Sequence, residues 1–252
     1  MSIKKIKEKV DFFLKNSFLE FKKLLQPKQI NTINEAIDIS LKKNPTMWFW
    51  KKKPNVNCNL LLTETTHDTI ILNEEVLTLL ENVMDGTFCF EETSIQITEP
   101  SEISKPTNWH RDVSHLNGEF QKLLYPQLII YLTNVDENTH CFSLSPEPQG
   151  NQISSTEIQL QKHGVYNFYG QAGDAILLNS NCLHGLTLRK TQIERRILQI
   201  YYSHPSSPEV GDNTIIPPRL WRDNPDPRIR RFFSKHNSYS KLVNQAMGLE
   251  IK

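Results

Sequence analysis

The sequence predicts a mainly β fold, a sandwich or jelly roll, with N-terminal helices. Three observations carry that expectation. Residues 1–90 place apolar side chains at helical spacing, residues 91–205 switch to short apolar runs separated by turn residues, and residues 206–252 form a tail rich in Pro, Arg and Asn. Several short strands punctuated by turns fit a sandwich or jelly roll. Such folds run to roughly 200–250 residues as one unit, so the 252 residues are expected to form a single domain.

In the first part, Ile30, Ile33, Ile37 and Leu41 share one helical face, and Pro27 suits a first-turn position. A second helix is expected over residues 74–84. Asn73 can cap it, Val76, Leu79, Leu80 and Val83 form its apolar stripe, and Gly86 stops it. The clearest strands are Thr93–Ile97, Leu128–Thr133, Ala175–Leu178 and Ile197–Tyr202, with Gly150, Gly164, Gly170 and Gly173 between them. In the tail, residues 226–233 (DPRIRRFF) read as a short basic helix or as a solvated charged face.

Hydrophobic residues make up 38% of the chain and charged residues 23%, enough apolar material for a core without staples. A net charge of +1 argues against a nucleic-acid binder. Cys58, Cys89, Cys141 and Cys182 form no C-x-x-C pair, which speaks against a zinc finger or disulfide scaffold and for reduced thiols. The basic, amphipathic start lacks a secretory apolar core, and Glu8 and Asp11 are unlike a transit peptide. The longest apolar run, around Leu128–Leu132, is too short to span a bilayer. The expectation is a soluble, cytoplasmic protein with no membrane span.

The chemistry centres on the sequence WHRD, residues 109–112. On a strand, His110 and Asp112 would project from one face. With a third ligand from a distant strand they would form the two-His-one-carboxylate set that holds non-haem Fe(II). The doublet alone is weak, because 8 His and 28 acids in 252 residues give about one such match by chance. Its context is more specific. His184 follows Gly173-Asp174, an apolar strand and a short turn. Arg195, 11 residues later, opens a strand whose one face carries Arg195, Ile197, Gln199 and Tyr201. A guanidinium in an apolar interior needs an anion, and Arg can hold a carboxylate with two parallel hydrogen bonds. Arg196 is its rival, and alternation sends the two to opposite faces.

These segments, residues 110–144 and GDAILLNSNCLHGLTLRKTQIERRILQIYY, resemble the phytanoyl-CoA dioxygenase family, and the likeness extends over about residues 20–205. The resemblance implies a double-stranded β-helix, a cupin-type jelly roll backed by N-terminal helices. It implies Fe(II) on His110, Asp112 and His184, which would be the metal-binding and catalytic residues. It also implies 2-oxoglutarate as co-substrate on Arg195, with O2 as oxidant and ascorbate as an auxiliary reductant. The expected reaction is hydroxylation of a C–H in a small molecule, with succinate and CO2 as co-products. Related halogenases lack the carboxylate, so Asp112 favours hydroxylation or another oxidation over halogenation.

Two departures from the family stand out. Leu186 occupies the place of a small hydroxylated residue two positions after the distal histidine, and Thr187 should face away. The family's turn P-G-S-H is replaced by Ser145-Pro146-Glu147-Pro148, which suggests a different substrate rim. His115 reads as a loop residue or an outer partner of the site, His140 and Cys141 as a turn, and Trp109 as core packing. The run MWFWKKK, residues 47–53, fits helix-end packing with extended lysines or a basic lid. The competing functional reading is a cupin-like protein that binds metal or ligand without turnover. An oxygenase acting on a macromolecule and a zinc hydrolase using the same three ligands are further rivals.

Overall fold

The computed structural model describes residues 3–49, 55–63 and 65–251. Helix α1 (Ile3–Asn16) leads into strand β1 (Phe18–Phe21), α2 (Pro27–Lys43), β2 (Val56–Asn57), α3 (Thr66–Ile71) and α4 (Glu74–Val83). Strand β3 (Cys89–Thr98), α5 (Ser114–Asn117), β4 (Pro126–Tyr131), β5 (Cys141–Leu144), α6 (Thr156–His163) and β6 (Tyr166–Phe168) follow. The chain continues through β7 (Ala175–Asn179), β8 (His184–Thr187), β9 (Arg195–Ser203), α7 (Pro218–Trp221), α8 (Pro227–Phe232) and α9 (Ser238–Ala246). The Asn73 side chain accepts from the amides of Glu75 and Val76 and so starts α4, as the sequence predicts.

The strands form two antiparallel sheets. One has six strands in the order β1-β7-β4-β9-β3-β2, the other three in the order β6-β5-β8. Alternation gives the larger sheet two different faces. Leu128, Ile130, Leu177, Leu198, Ile200 and Tyr202 join the helical residues Ile33, Ile37, Leu79 and Leu80 in one core. Ile129, Tyr131, Ile176, Leu178 and Ile197 pack the other way, against Phe142, Leu144 and Phe168 of the smaller sheet. Tyr131 ties the sheets together. Its ring stacks on Phe168 at 4.7 Å, its hydroxyl donates to the Phe168 carbonyl (2.8 Å), and it accepts from the Phe142 amide (3.1 Å).

Two features go beyond the sequence reading. Helices α1–α4 fill most of the first ninety residues, and β1 among them adds to the edge of the larger sheet beside β7. Four residues wedged between a basic helix and Pro27 are too few to show a period of two. In the tail, the run 226–233 forms the short basic helix α8, and the tail packs onto the fold. Ile216, Leu220, Phe232 and Phe233 are buried in the helix-side core, while Arg228 of α8 points out. In the run 47–53, Trp48 is buried and donates from Nε1 to the Ser40 hydroxyl (3.0 Å), which is helix-end packing. Trp50–Lys53 lie outside the described residues.

Candidate active site

His184 opens β8. The segment carrying His110 pairs with it as an antiparallel bridge, His110 N–H to the His184 carbonyl at 2.9 Å and the reverse at 3.0 Å. Directly opposed residues put their side chains on one face, and the two imidazoles stand 4.5 Å apart between centroids. Gly185 permits this approach, since a Cβ there would lie 2.5 Å from the Asn108 carbonyl oxygen. His110 and Asp112 do not lie on a continuous strand, contrary to the sequence reading. His110 is an isolated bridge residue, and Asp112 begins the turn into α5. The two side chains still converge, because Arg111 between them is drawn to the opposite side.

Arg111 anchors the doublet. It makes a two-pronged ion pair with Glu147 (2.5 and 3.0 Å) and donates to the Asn181 carbonyl (2.7 Å), linking the His110–Asp112 segment to the approach to His184. Gln121 also donates to Glu147 (2.6 Å). Glu147 is 2% exposed, so residues 145–148 brace the doublet from inside and do not form the substrate rim suggested by the sequence.

His110, Asp112 and His184 offer one donor atom each within 4.8 Å of one another. Nε2 of His110 and of His184 lie 3.3 and 3.5 Å from the same oxygen of Asp112. Ligands about 2.1 Å from one ion and at right angles would stand about 3 Å apart, so this spacing suits a facial set. The Nδ1 of each ring is 2.8 Å from a backbone carbonyl, Asn108 for His110 and Cys182 for His184. In the neutral rings, donation there fixes the tautomer and leaves both Nε2 lone pairs for a metal, while in the protonated rings the same Nε2 atoms donate to Asp112. The hydrogen bond to Asp112 raises the pKa of His110 despite burial. Burial alone would raise that of Asp112, yet the His184 charge and the bonds from His110, His184 and Tyr201 hold it well below the usual carboxylate range. The donor set therefore fits a divalent cation.

The second oxygen of Asp112 accepts from the Tyr201 hydroxyl at 2.8 Å. That hydroxyl in turn accepts from Gln127 and Gln199, both at 2.7 Å. Burial, then the Asp112 charge, raise the Tyr201 pKa and keep the phenol a donor. The sequence placed Tyr201 on the face of Arg195 but assigned it no role, and Gln127 gave no signal at all.

Arg195 and Tyr131 share this interior. Arg195 is 4% exposed, its guanidinium carbon lies 5.2 Å from the centre of the Tyr131 ring, and its buried Nε has no acceptor. Among the described residues no carboxylate is within ion-pair distance of it. Arg196 faces the other way and is bound to Asp38 (2.9 Å) and Glu194 (2.6 Å). An orphaned guanidinium nitrogen in a water-poor interior is costly, and it suits an anionic ligand such as the distal carboxylate of 2-oxoglutarate. Thr187 turns away, bonding to the hydroxyls of Thr107 (2.5 Å) and Ser143 (2.6 Å), so no hydroxyl from that position reaches the site. His115 is exposed on α5 and Trp109 is half-buried, outside the core that the sequence suggested. His140 is buried and lies 2.9 Å from the Glu99 carbonyl, and Cys141 opens β5.

No family model matches the chain, and no curated protein does. Solved structures do match. The non-heme alpha ketoglutarate dependent epimerase SnoN from nogalamycin biosynthesis aligns with a TM-score of 0.64 at 14% identity, over 81% of this chain and 85% of that one. AviO1 from Streptomyces viridochromogenes Tue57 aligns with a TM-score of 0.64 at 16% identity, over 82% and 99%. EctD from S. alaskensis, solved with 2-oxoglutarate and 5-hydroxyectoine, aligns with a TM-score of 0.66 at 11% identity, over 91% and 83%. At these identities the likeness is one of fold. The chain shares the architecture of these three structures.

Proposed function

We propose that the chain is an Fe(II)- and 2-oxoglutarate-dependent dioxygenase, a single domain built on a double-stranded β-helix, that hydroxylates a C–H of a small-molecule substrate. The observation that carries this reading is the convergence of His110, Asp112 and His184, which are far apart in the sequence, with their donor atoms at the spacing of a facial ligand set. The orphaned Arg195 nitrogen in the same interior supports the co-substrate assignment. The fold neighbours are compatible with it, and so is the resemblance of the sequence to the phytanoyl-CoA dioxygenase family. Four free buried thiols suit a reducing, cytoplasmic setting.

When bound, iron, 2-oxoglutarate and O2 together supply an oxidant strong enough for an unactivated C–H, with succinate and CO2 as co-products. The protein's own contribution is orientation. The backbone carbonyls of Asn108 and Cys182 aim the two imidazoles, Tyr201 fixes the Asp112 carboxylate, and Arg195 would hold the co-substrate by its far carboxylate. Ile129, Ile197 and Phe142 keep the interior apolar.

The test is succinate release from 2-oxoglutarate by purified protein supplied with Fe(II) and ascorbate. His110→Ala and Asp112→Ala should each abolish it. Arg195→Ala should weaken 2-oxoglutarate binding, and Arg195→Lys should not restore it fully, because an ammonium lacks the planar fork. Normal co-substrate affinity in Arg195→Ala would overturn the assignment, and absence of release in the wild type would favour the non-catalytic alternative.

A further inference from the structure

A cavity of about 140 Å3 meets the ligand set at Asp112 and is lined by Glu91, Glu92, Asp112, Val113, Tyr201, Val210 and Gly211, with neither His110 nor His184 among them. It could therefore take the part of a substrate that lies beside Asp112. Its charge is unusual. Strand β3 has a bulge between Phe90 and Glu92 where it pairs with β9, and the irregularity turns two consecutive acids toward one region. Glu91 is fully satisfied. Lys235 pairs with it at 2.6 Å, the Ser203 hydroxyl donates to it at 2.6 Å, and the amides of Val210 and Gly211 complete the set at 2.7 and 3.2 Å. Glu92 is not. It accepts from Asn213, through the backbone amide (3.0 Å) and the side chain, its charged neighbours are Asp212 and Glu91, and among the described residues no basic side chain lies within ion-pair distance.

A second acceptor in the same row also lacks a donor. Residue pairing aligns Gln127, Tyr201 and Glu92 across β4, β9 and β3, so all three share one face. The Tyr201 proton goes to Asp112, so Gln127 must meet the phenol oxygen with its amide nitrogen. Its carbonyl oxygen is left buried and unbonded, in a residue only 2% exposed. Gln127 lies outside the cavity lining, so the group there that calls for a ligand is the Glu92 carboxylate, which without a counter-ion is complementary to a cationic N–H group.

We infer that this cavity binds a substrate bearing a basic nitrogen, an ammonium, amidinium or guanidinium group, which pairs with Glu92 beside Asp112. Burial raises the pKa of Glu92, partly offset by the Asn213 amide, the state expected of a carboxylate awaiting a cation. The apolar walls from Val113 and Val210 would receive the carbon skeleton.

The inference rests on the oxygenase reading, and one experiment separates the two. The protein is loaded with Mn(II), a paramagnetic stand-in for Fe(II), and with 2-oxoglutarate. Proton relaxation of propylammonium is then compared with that of 1-propanol, a neutral probe of the same size. Preferential relaxation of propylammonium, by about tenfold, is the expected result. Glu92→Gln should remove the preference and Glu92→Asp should keep part of it, with Mn(II) affinity measured in each as a check on the site. Equal relaxation of the two probes, or a preference unchanged in Glu92→Gln, would overturn the assignment of Glu92 while leaving the oxygenase reading intact. Failure of the wild type to bind Mn(II) and 2-oxoglutarate would instead remove the oxygenase reading itself.

Discussion

The two faces of the six-stranded sheet are made by the same strands yet are chemically opposite. Toward the helices, Leu128, Ile130, Leu177, Leu198 and Ile200 form an apolar surface that α2 and α4 cover. Toward the smaller sheet, the same strands present Gln127, Arg195, Gln199 and Tyr201 among Ile129, Tyr131 and Ile197. A buried polar group costs stability unless it is bonded, and here most are bonded to each other while a few, Arg195 Nε and Gln127 Oε1, are not. One face therefore holds the fold together. The other leaves buried polar groups without partners at a cost in stability, the pattern expected where a sheet face binds ligands.

That contrast can be broken most forcefully at Arg111. Arg111→Ala would strand the buried Glu147 carboxylate and untie the His110–Asp112 segment from the approach to His184. Losing one partner of a buried ion pair costs about 3–5 kcal/mol. Chemical denaturation should show that loss, and metal affinity should fall with it, because the same side chain serves both stability and site. Leu198→Ala, on the helix face, should cost about 2–5 kcal/mol through the cavity it leaves. Its metal affinity, measured calorimetrically below the melting transition, should stay at the wild-type value. A parallel loss of metal binding would mean that the two faces are not independent.

The helix face was largely legible in the sequence because it rests on period. The Asn73 cap, the stripe of α4 and the apolar runs of β4, β7 and β9 are all local patterns. Of the candidate site, the sequence singled out the residues that the structure brings together: the His110–Asp112 doublet, the distal His184, and Arg195, chosen over Arg196 by its spacing from His184. What escaped was every feature set by pairing between distant segments. The bulge that exposes Glu92 shifts register by one residue and leaves no trace in a single strand. Glu147 looked like a surface turn residue because nothing local announces its pairing with Arg111. Gly185 is one of nine glycines, and only the approach of Asn108 shows why a side chain cannot stand there. Gly185→Ala should accordingly displace Asn108, whose carbonyl orients His110, and lower metal affinity with a smaller effect on melting.

Tyr201→Phe offers the finest comparison, since it deletes one oxygen atom from the ligand-facing side and nothing from the other. The ring stays and the apolar packing is kept. Asp112 loses the donor to its second oxygen, and the amides of Gln127 and Gln199 lose their shared acceptor. Outer partners of metal ligands are worth about tenfold to a hundredfold in metal affinity. Global stability should change little, by about 1 kcal/mol, because both amides can turn toward one another or toward Asp112 once the phenol oxygen is gone. Metal titration and thermal melting of the same preparation separate these effects. Leu198→Ala should lower the melting temperature with affinity held, and Tyr201→Phe should do the reverse. If Tyr201→Phe instead melted far below wild type while binding metal normally, its hydroxyl would belong to the scaffold, and the division of the sheet into a supporting face and a chemical face would fail at the strand where it is drawn most sharply.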